Sequence, residues 1–256
     1  MSTWVLLRGL ARERRHWGDF PERFGAVVGA GRVVTLDLPG NGQLNALDSP
    51  LRVDDMARWV ADELRRRELP PPYHVLAVSL GGMVAVAWAR MQPQALRAAV
   101  VINTSMRPFS PFYRRLRPSA WWPVVKMLTG AHDAARRERT VLDLISNHRV
   151  AADAAWPHWV ACARENPISG RNALRQLWAA ARFSAPRTPP PVSFLVLTSA
   201  ADRMVDPSCS RALARQWGCA LREHPCAGHD LPLDDGAWVS EQVAQWLADQ
   251  SSVRRE

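Results

Sequence analysis

The chain has 256 residues, 47% of them hydrophobic, and a formal net charge of +9. That length holds one α/β domain with an added lobe, and that apolar content excludes a disordered chain. No run of about 18 apolar residues occurs, so no membrane span is expected, and no basic segment leading into a long apolar core opens the chain, so no signal peptide is expected and the expected location is cytoplasmic.

In chain order, residues 3–7 read as a buried strand that runs into Arg8-Gly9-Leu10. A helix is expected over 20–28, a turn at Gly29-Ala30-Gly31, and a strand over 32–37 that leads into Asp37-Leu38-Pro39-Gly40-Asn41-Gly42. Pro50 and the Asp54-Asp55 pair mark the start of a helix over 52–67. Pro70-Pro71-Pro72 is a stiff connector into the apolar strand 74–78, which meets Ser79 and then the helix former that ends near Met91. The strand 98–102 runs into Asn103-Thr104-Ser105, which carries no carboxylate.

After a long insert, the prolines of 186–191 lead into a second fully apolar strand over 192–197, followed by a short turn of small residues and Asp202. A helix over 208–217, a short strand over 220–224, the pair Gly228-His229 and a helix over 235–250 complete the chain. Trp238, Val243, Trp246 and Leu247 recur at helical spacing in that last segment and read as core contacts. These units alternate as strand and helix, which predicts a mostly parallel sheet of about six strands flanked by helices.

The run Ala77-Val78-Ser79-Leu80-Gly81-Gly82 has the form of a nucleophile elbow, a tight strand-to-helix turn that lifts a serine Oγ clear of the sheet. Such a turn holds the serine in a sparsely populated backbone region, so the residues two before and two after must be small. Ala77 and Gly81 meet that requirement, with Ala where Gly is usual. A plain strand-Gly-Gly-helix junction reads almost the same, so the partners downstream decide the chemistry.

Five motifs stand in one order: Arg8-Gly9-Leu10, the Asp37 to Gly42 loop, the turn at Ser79, the Asp202 turn, and Gly228-His229. On these the chain resembles the α/β-hydrolase superfamily, in particular its compact carboxylesterases, among them the pimeloyl-carrier-protein methyl ester esterases. The resemblance covers roughly residues 3–248 apart from the variable middle insert. It implies an α/β-hydrolase fold with a core of residues 1–105 and 186–256 and a helical cap of residues 106–185. The hairpin that opens many relatives is expected to be missing, since the first strand already precedes the oxyanion loop.

The resemblance implies a Ser-Asp-His triad. Ser79 would be the nucleophile, His229 the base, and Asp202 the acid that holds the imidazole. The backbone N–H groups of Leu10 and Leu80 would form the oxyanion hole. Asp206 is the rival acid, but Asp206-Pro207 reads as the start of the following helix. His224 belongs to the strand 220–224, and His16 sits in the first loop where it can line the pocket mouth. The usual oxyanion loop begins His-Gly, and this chain has Arg8-Gly9; an Arg there either tunes the pocket charge or pairs with an acid outside it.

The insert is rich in aromatic and aliphatic residues, among them Phe109, Phe112, Trp121, Trp122, Leu142, Leu144, Ile145, Trp156, Trp159 and Trp178. An apolar cap fits a small to medium acyl or aromatic ester, or a thioester, over a dry site. The bland reading is that at least half of these side chains only pack the insert onto the core. Arg107, Arg114, Arg115 and Arg117 cluster at its start and Arg136, Arg137 and Arg139 follow, which fits an anionic partner such as an acidic acyl carrier or an acidic substrate, although a solvated basic face is the favoured reading.

No nucleic-acid motif accompanies the charge, and no Gly-rich phosphate loop implies a nucleotide cofactor. Cys162, Cys209, Cys219 and Cys226 show no metal-ligand spacing, so neither metal nor cofactor is expected. Two other functions share the pattern: the same fold with altered chemistry, as a carbon–carbon hydrolase, lyase or perhydrolase, and a non-catalytic ligand-binding member.

Overall fold

The computed structural model describes residues 2–128 and 133–253. Its strands are β1 (Thr3–Leu7), β2 (Arg32–Leu36), β3 (Tyr73–Val78), β4 (Leu96–Ile102), β5 (Ser193–Ser199) and β6 (Ala220–His224). They form one six-stranded sheet in the order β2-β1-β3-β4-β5-β6, and every pairing is parallel. Among the described residues the helices are α1 (Phe20–Val27), α2 (Val53–Arg66), α3 (Leu80–Met91), α4 (Phe112–Arg115), α5 (Pro118–Leu128), α6 (Ala134–Ile145), α7 (Arg149–Glu165), α8 (Gly170–Arg182), α9 (Ser208–Trp217) and α10 (Leu231–Val253).

Strand alternation divides the core in two. Val5, Leu7, Val75, Ala77, Ala99, Val101 and Val196 face α2, α3 and α9 on one side of the sheet. Trp4, Leu6, Leu76, Val78, Val100, Leu195 and Leu197 face α1 and α10 on the other. A parallel sheet covered on both faces needs near-continuous apolar strands, which is why β3 is buried at every position. α2 shows the helical counterpart: Val53, Met56, Ala57, Val60, Ala61 and Leu64 recur at 3.6-residue spacing and are all buried. Each large side chain so buried contributes about 1.5–3 kcal/mol.

Residues 106–185 supply α4 to α8 between β4 and β5, with a third apolar cluster of Ala120, Val124, Val141, Leu142, Leu144, Ile145, Ala152 and Trp159. α8 is tied to the sheet's loops by buried amides. Gln176 accepts from the Ala11 N–H at 2.9 Å and donates to Asn41 Oδ1 at 2.9 Å and to Ser49 Oγ at 3.0 Å. Asn172 accepts from the Ser49 N–H at 2.9 Å. This explains the Asp37 to Gly42 motif: at Gly40, φ is +92°, and a Cβ would lie 2.0 Å from Ser49 Oγ.

Several boundaries differ from expectation by one to four residues. Asp37 lies beyond β2, where its carboxylate accepts the Arg14 N–H at 2.6 Å. The last helix begins at Leu231, four residues early, and is broken at Asp235 (φ −152°, ψ 74°), whose side chain caps the longer second part by accepting from Trp238 N–H at 3.0 Å. Among the described residues no helix is long and apolar enough to cross a membrane.

Candidate active site

In a parallel sheet every strand ends on the same edge, and loops from that edge meet above it. The register sets Val78 of β3 beside Ile102 of β4, and Leu7 of β1 beside Ala77. Ser79 therefore emerges between the Arg8-Gly9-Leu10 loop and the Asn103-Thr104-Ser105 loop. Its backbone is at φ 55° and ψ −115°, a region that costs on the order of 1–3 kcal/mol for a residue with a Cβ. Ser79 N–H donates to Ile102 O at 2.9 Å, and Thr104 Oγ1 donates to Ser79 O at 2.9 Å, so the end of β4 and the loop after it hold the turn.

The small residues expected around the turn have identifiable contacts. A Cβ on Gly81 would lie 2.6 Å from Leu7 O and 2.8 Å from Arg8 O. A Cβ on Gly9 would lie 3.1 Å from Ser79 Cβ, which puts the Arg8-Gly9-Leu10 loop directly against the serine. Among the described residues the N–H groups of Leu10 and Leu80 donate to no acceptor in the chain. Leu80 opens α3, so its N–H also lies at the positive end of the helix dipole.

Asp202 and His229 are brought together from the loops after β5 and β6. His229 Nδ1 lies 2.7 Å from Asp202 Oδ2, and both side chains are buried. The other oxygen of Asp202 accepts from the N–H groups of Met204 at 2.7 Å and Val205 at 2.9 Å, which fixes the carboxylate's orientation. Burial alone disfavours an imidazolium, but the charge of Asp202, its hydrogen bond and the charge of Asp230 outweigh it and raise the His229 pKa above its ordinary value. Ser79 and His229 line the same cavity of about 40 Å³. Ser79 Oγ makes no hydrogen bond among the described residues, so the contact between serine and imidazole is not closed in this structure.

The rival residues sit elsewhere. Asp206 accepts from the Ser208 N–H at 2.9 Å at the start of α9. His224 ends β6, accepts from the Ala227 N–H at 2.9 Å, and lies 3.3 Å from Asp235. His16 is buried beside Trp159 and accepts from the Glu13 N–H at 2.9 Å. It lines a separate cavity with Arg137 and Glu138, and burial together with Arg12 and Arg8 pushes its pKa well below the usual value.

Arg8 is a site residue whose role the sequence left open. Its guanidinium forms a two-pronged ion pair with Asp230, the residue after His229, with one contact at 3.1 Å, and both side chains are buried. Arg12 forms a second buried pair with Glu138 of α6, at 2.6 and 3.3 Å. Both arginines line the serine cavity, and both are neutralised by a carboxylate. Arg8 thus pairs with an acid inside the site.

Asn103 was passed over because it is not an acid. Its Nδ2 donates to Ser199 Oγ at 3.1 Å, to His229 O at 2.8 Å and to Gly228 O at 3.3 Å, while its Oδ1 accepts from the Ser199 N–H at 2.9 Å. One side chain therefore ties the Asp202 turn to the His229 loop. Its φ of +47° is a conformation that Asn tolerates better than most residues, and an Asn at a strand end is the only local signal it left.

From the insert, Val141, Leu144 and Ile145 of α6 line the serine cavity, joined by Met204 from the Asp202 turn. Phe112 and Trp122 are 70% and 66% exposed and take no part in it. Trp159 is buried against Arg12, with 5.2 Å from guanidinium to ring centre, and holds the insert to the loop after β1. Among the described residues no group of His, Cys, Asp and Glu is arranged to hold a metal ion, and all four cysteines are free.

The chain is 33% identical over 103 residues to the pimeloyl-[acyl-carrier protein] methyl ester esterase of Aeromonas salmonicida (strain A449). That stretch covers 40% of this chain and 37% of the curated relative, well under half of its length. The enol-lactonase of Burkholderia xenovorans LB400 shares the fold with a TM-score of 0.77 at 18% identity, over 96% of this chain and 91% of that one. An esterase from Rhodococcus sp. ECU1013 does so with a TM-score of 0.75 at 20% identity, over 96% and 90% of the two chains. The profile of the Alpha/beta hydrolase family matches residues 4–242, nearly the whole sheet with its insert, and the chain belongs to that family.

Proposed function

We propose that this protein is a serine hydrolase that cleaves a carboxylic ester or thioester through an acyl-enzyme. The observation that carries the reading is the buried His229–Asp202 pair at 2.7 Å, in one cavity with a serine held at φ 55°. Ser79 Oγ attacks the ester carbonyl while His229 Nε2 takes its proton, and Asp202 stabilises the imidazolium and fixes the tautomer. The developing oxyanion is held by the free N–H groups of Leu10 and Leu80, a device in which one lost donor costs about 100- to 1000-fold in rate. His229 returns the proton to the departing alcohol or thiol. Water then enters and attacks the acyl carbonyl while His229 takes its proton; His229 passes that proton to Ser79 Oγ as the acyl–oxygen bond breaks and the acid leaves.

In this reading residues 106–185 form a cap, and Val141, Leu144 and Ile145 of α6 close the cavity over the serine. A cavity of about 40 Å³ favours short acyl groups as it stands. The partial match to an esterase named for an acyl-carrier-protein substrate supports an acidic carrier as a partner. Arg115 does not take part in such docking, since its guanidinium donates to the Ala180 and Ala181 carbonyls at 2.6 and 3.1 Å. The test is fluorophosphonate labelling beside a p-nitrophenyl ester series of rising acyl length. Wild type is expected to label and to prefer short chains, and Ser79→Ala to do neither. A folded wild type that does not label overturns the proposal.

A further inference from the structure

A second and larger cleft, of about 640 Å³, lies on the far side of the Asp202–His229 pair. It is lined from three directions: Arg117, Ser119 and Pro123 at the start of the insert, Asp143 and Leu144 of α6, and the Asp202 turn with Arg203. Leu144 also lines the serine cavity, so that one side chain, 9% exposed, separates the two spaces. The serine cavity holds little more than a few heavy atoms, whereas the outer cleft holds a ligand fragment.

The charges in the cleft are unbalanced. Arg117 donates to the Asp202 carbonyl at 2.9 Å and Arg203 to the Ser146 carbonyl at 2.7 Å; among the described residues neither makes a direct ion pair, although Arg117 acts on the Asp206 carboxylate from farther off. Asp143, the remaining acid, is paired with Arg139 at 3.2 Å and with Arg149 at 3.9 Å. Asp202 is buried in its contact with His229. Two guanidiniums, each steadied by a carbonyl, therefore border a space beside the Asp202 turn; the charge of Arg117 is shared with Asp206, whose carboxylate it favours, while Arg203 has no carboxylate partner within ion-pair distance among the described residues. This contrasts with Arg8 and Arg12 in the serine cavity, where each positive charge has its own carboxylate.

We infer that the outer cleft is a subsite for an anionic group of the substrate, a carboxylate or a phosphate, reached past Leu144 and recognised by Arg117 and Arg203. This rests on the esterase reading for the position of the scissile bond. The anion has two possible sources, the far end of the acyl chain or the leaving group, and the cleft's chemistry is the same for both. A guanidinium fork suits the planar carboxylate and the phosphate alike.

Two substrate pairs separate the sources. The acyl-side pair is p-nitrophenyl hydrogen glutarate against p-nitrophenyl hexanoate, and the leaving-group pair is 2-phosphoethyl acetate against propyl acetate. In one of the two pairs the wild type is expected to favour the anionic ester in kcat/KM by about five-fold, the scale of a partly screened charge pair. Arg203→Gln is expected to abolish that preference and Arg203→Glu to invert it. Arg187→Gln, an exposed arginine of the connector before β5, removes the same net charge and should leave the preference intact. A preference absent from both pairs, or indifferent to Arg203, overturns the subsite.

Titration calorimetry of glutarate and inorganic phosphate into Ser79→Ala protein reads the same site without turnover. Binding that Arg203→Gln removes supports the subsite even where no ester is hydrolysed, an outcome that sinks only the esterase reading. Absence of binding by both anions overturns the subsite.

Discussion

At the scale of single residues, the balance at His229 sets the pH response. In the proposed mechanism His229 is the general base, which works only when neutral, and its pKa is raised above the ordinary value because Asp202 and Asp230 outweigh burial and Arg8. Activity is therefore expected to fall as pH drops, with the midpoint of the acid limb of kcat/KM above 6.5. Asp202→Asn removes the largest stabilising charge and leaves burial to dominate, so the midpoint should move downward and kcat should fall by about 10⁴-fold. A pH–rate profile of both proteins checks the sign, and an unchanged midpoint would separate Asp202 from the titration. The turn at Ser79 was readable because turn chemistry is local, whereas His229 was singled out only by the order of the motifs. Asn103 was not, because its value lies in contacts to residues 96 and 126 positions away.

Among elements, the close approach of α3 to the end of β1 decides where the Arg8-Gly9-Leu10 loop sits, which the proposed function makes the oxyanion loop. Gly81→Ala would press a methyl group into the Leu7 and Arg8 carbonyls, which are backbone and cannot rotate away. The expected cost is about 1–3 kcal/mol in denaturant unfolding, with a larger loss in kcat than in KM as Leu10 shifts. The Arg8–Asp230 pair joins the end of β1 to the loop after β6 across 222 positions. Arg8→Met leaves Asp230 buried and unpaired and should destabilise by about 3–5 kcal/mol, whereas the double variant with Asp230→Leu should recover much of that. A double-mutant cycle measured by urea denaturation reads both. Continuous apolar runs located the central strands of this core, because a parallel sheet covered on both faces buries every position of such a strand. The pairing of Arg8 had no such signal, since an arginine reads alike whether its partner lies inside the site or outside it.

For the whole molecule, the insert supplies one wall of the serine cavity through Val141, Leu144 and Ile145. Leu144 stands between the serine cavity and the outer cleft, so Leu144→Ala should merge them. The expected result is a shift of the p-nitrophenyl ester optimum toward longer acyl chains. The accompanying loss of stability should be about 2–5 kcal/mol, because Leu144 belongs to the insert's apolar cluster. An unshifted optimum with a folded protein would show that the wall lies elsewhere.

The composition of the insert announced an apolar lobe but not its inner face. Phe112 and Trp122 carry the same hydrophobic signal as Trp159, yet they are exposed and Trp159 is buried. What the sequence determined alone is what short-range physics encodes: the alternation of strands and helices, the strained turn at Ser79, the helix start at Asp206, and the order of the motifs. Only the tertiary structure decided that Arg8 is neutralised by Asp230, that Asn103 joins two loops, and that α6 closes the cavity. Those contacts depend on which distant segments the sheet order brings to one edge, and no local pattern of residues carries that information.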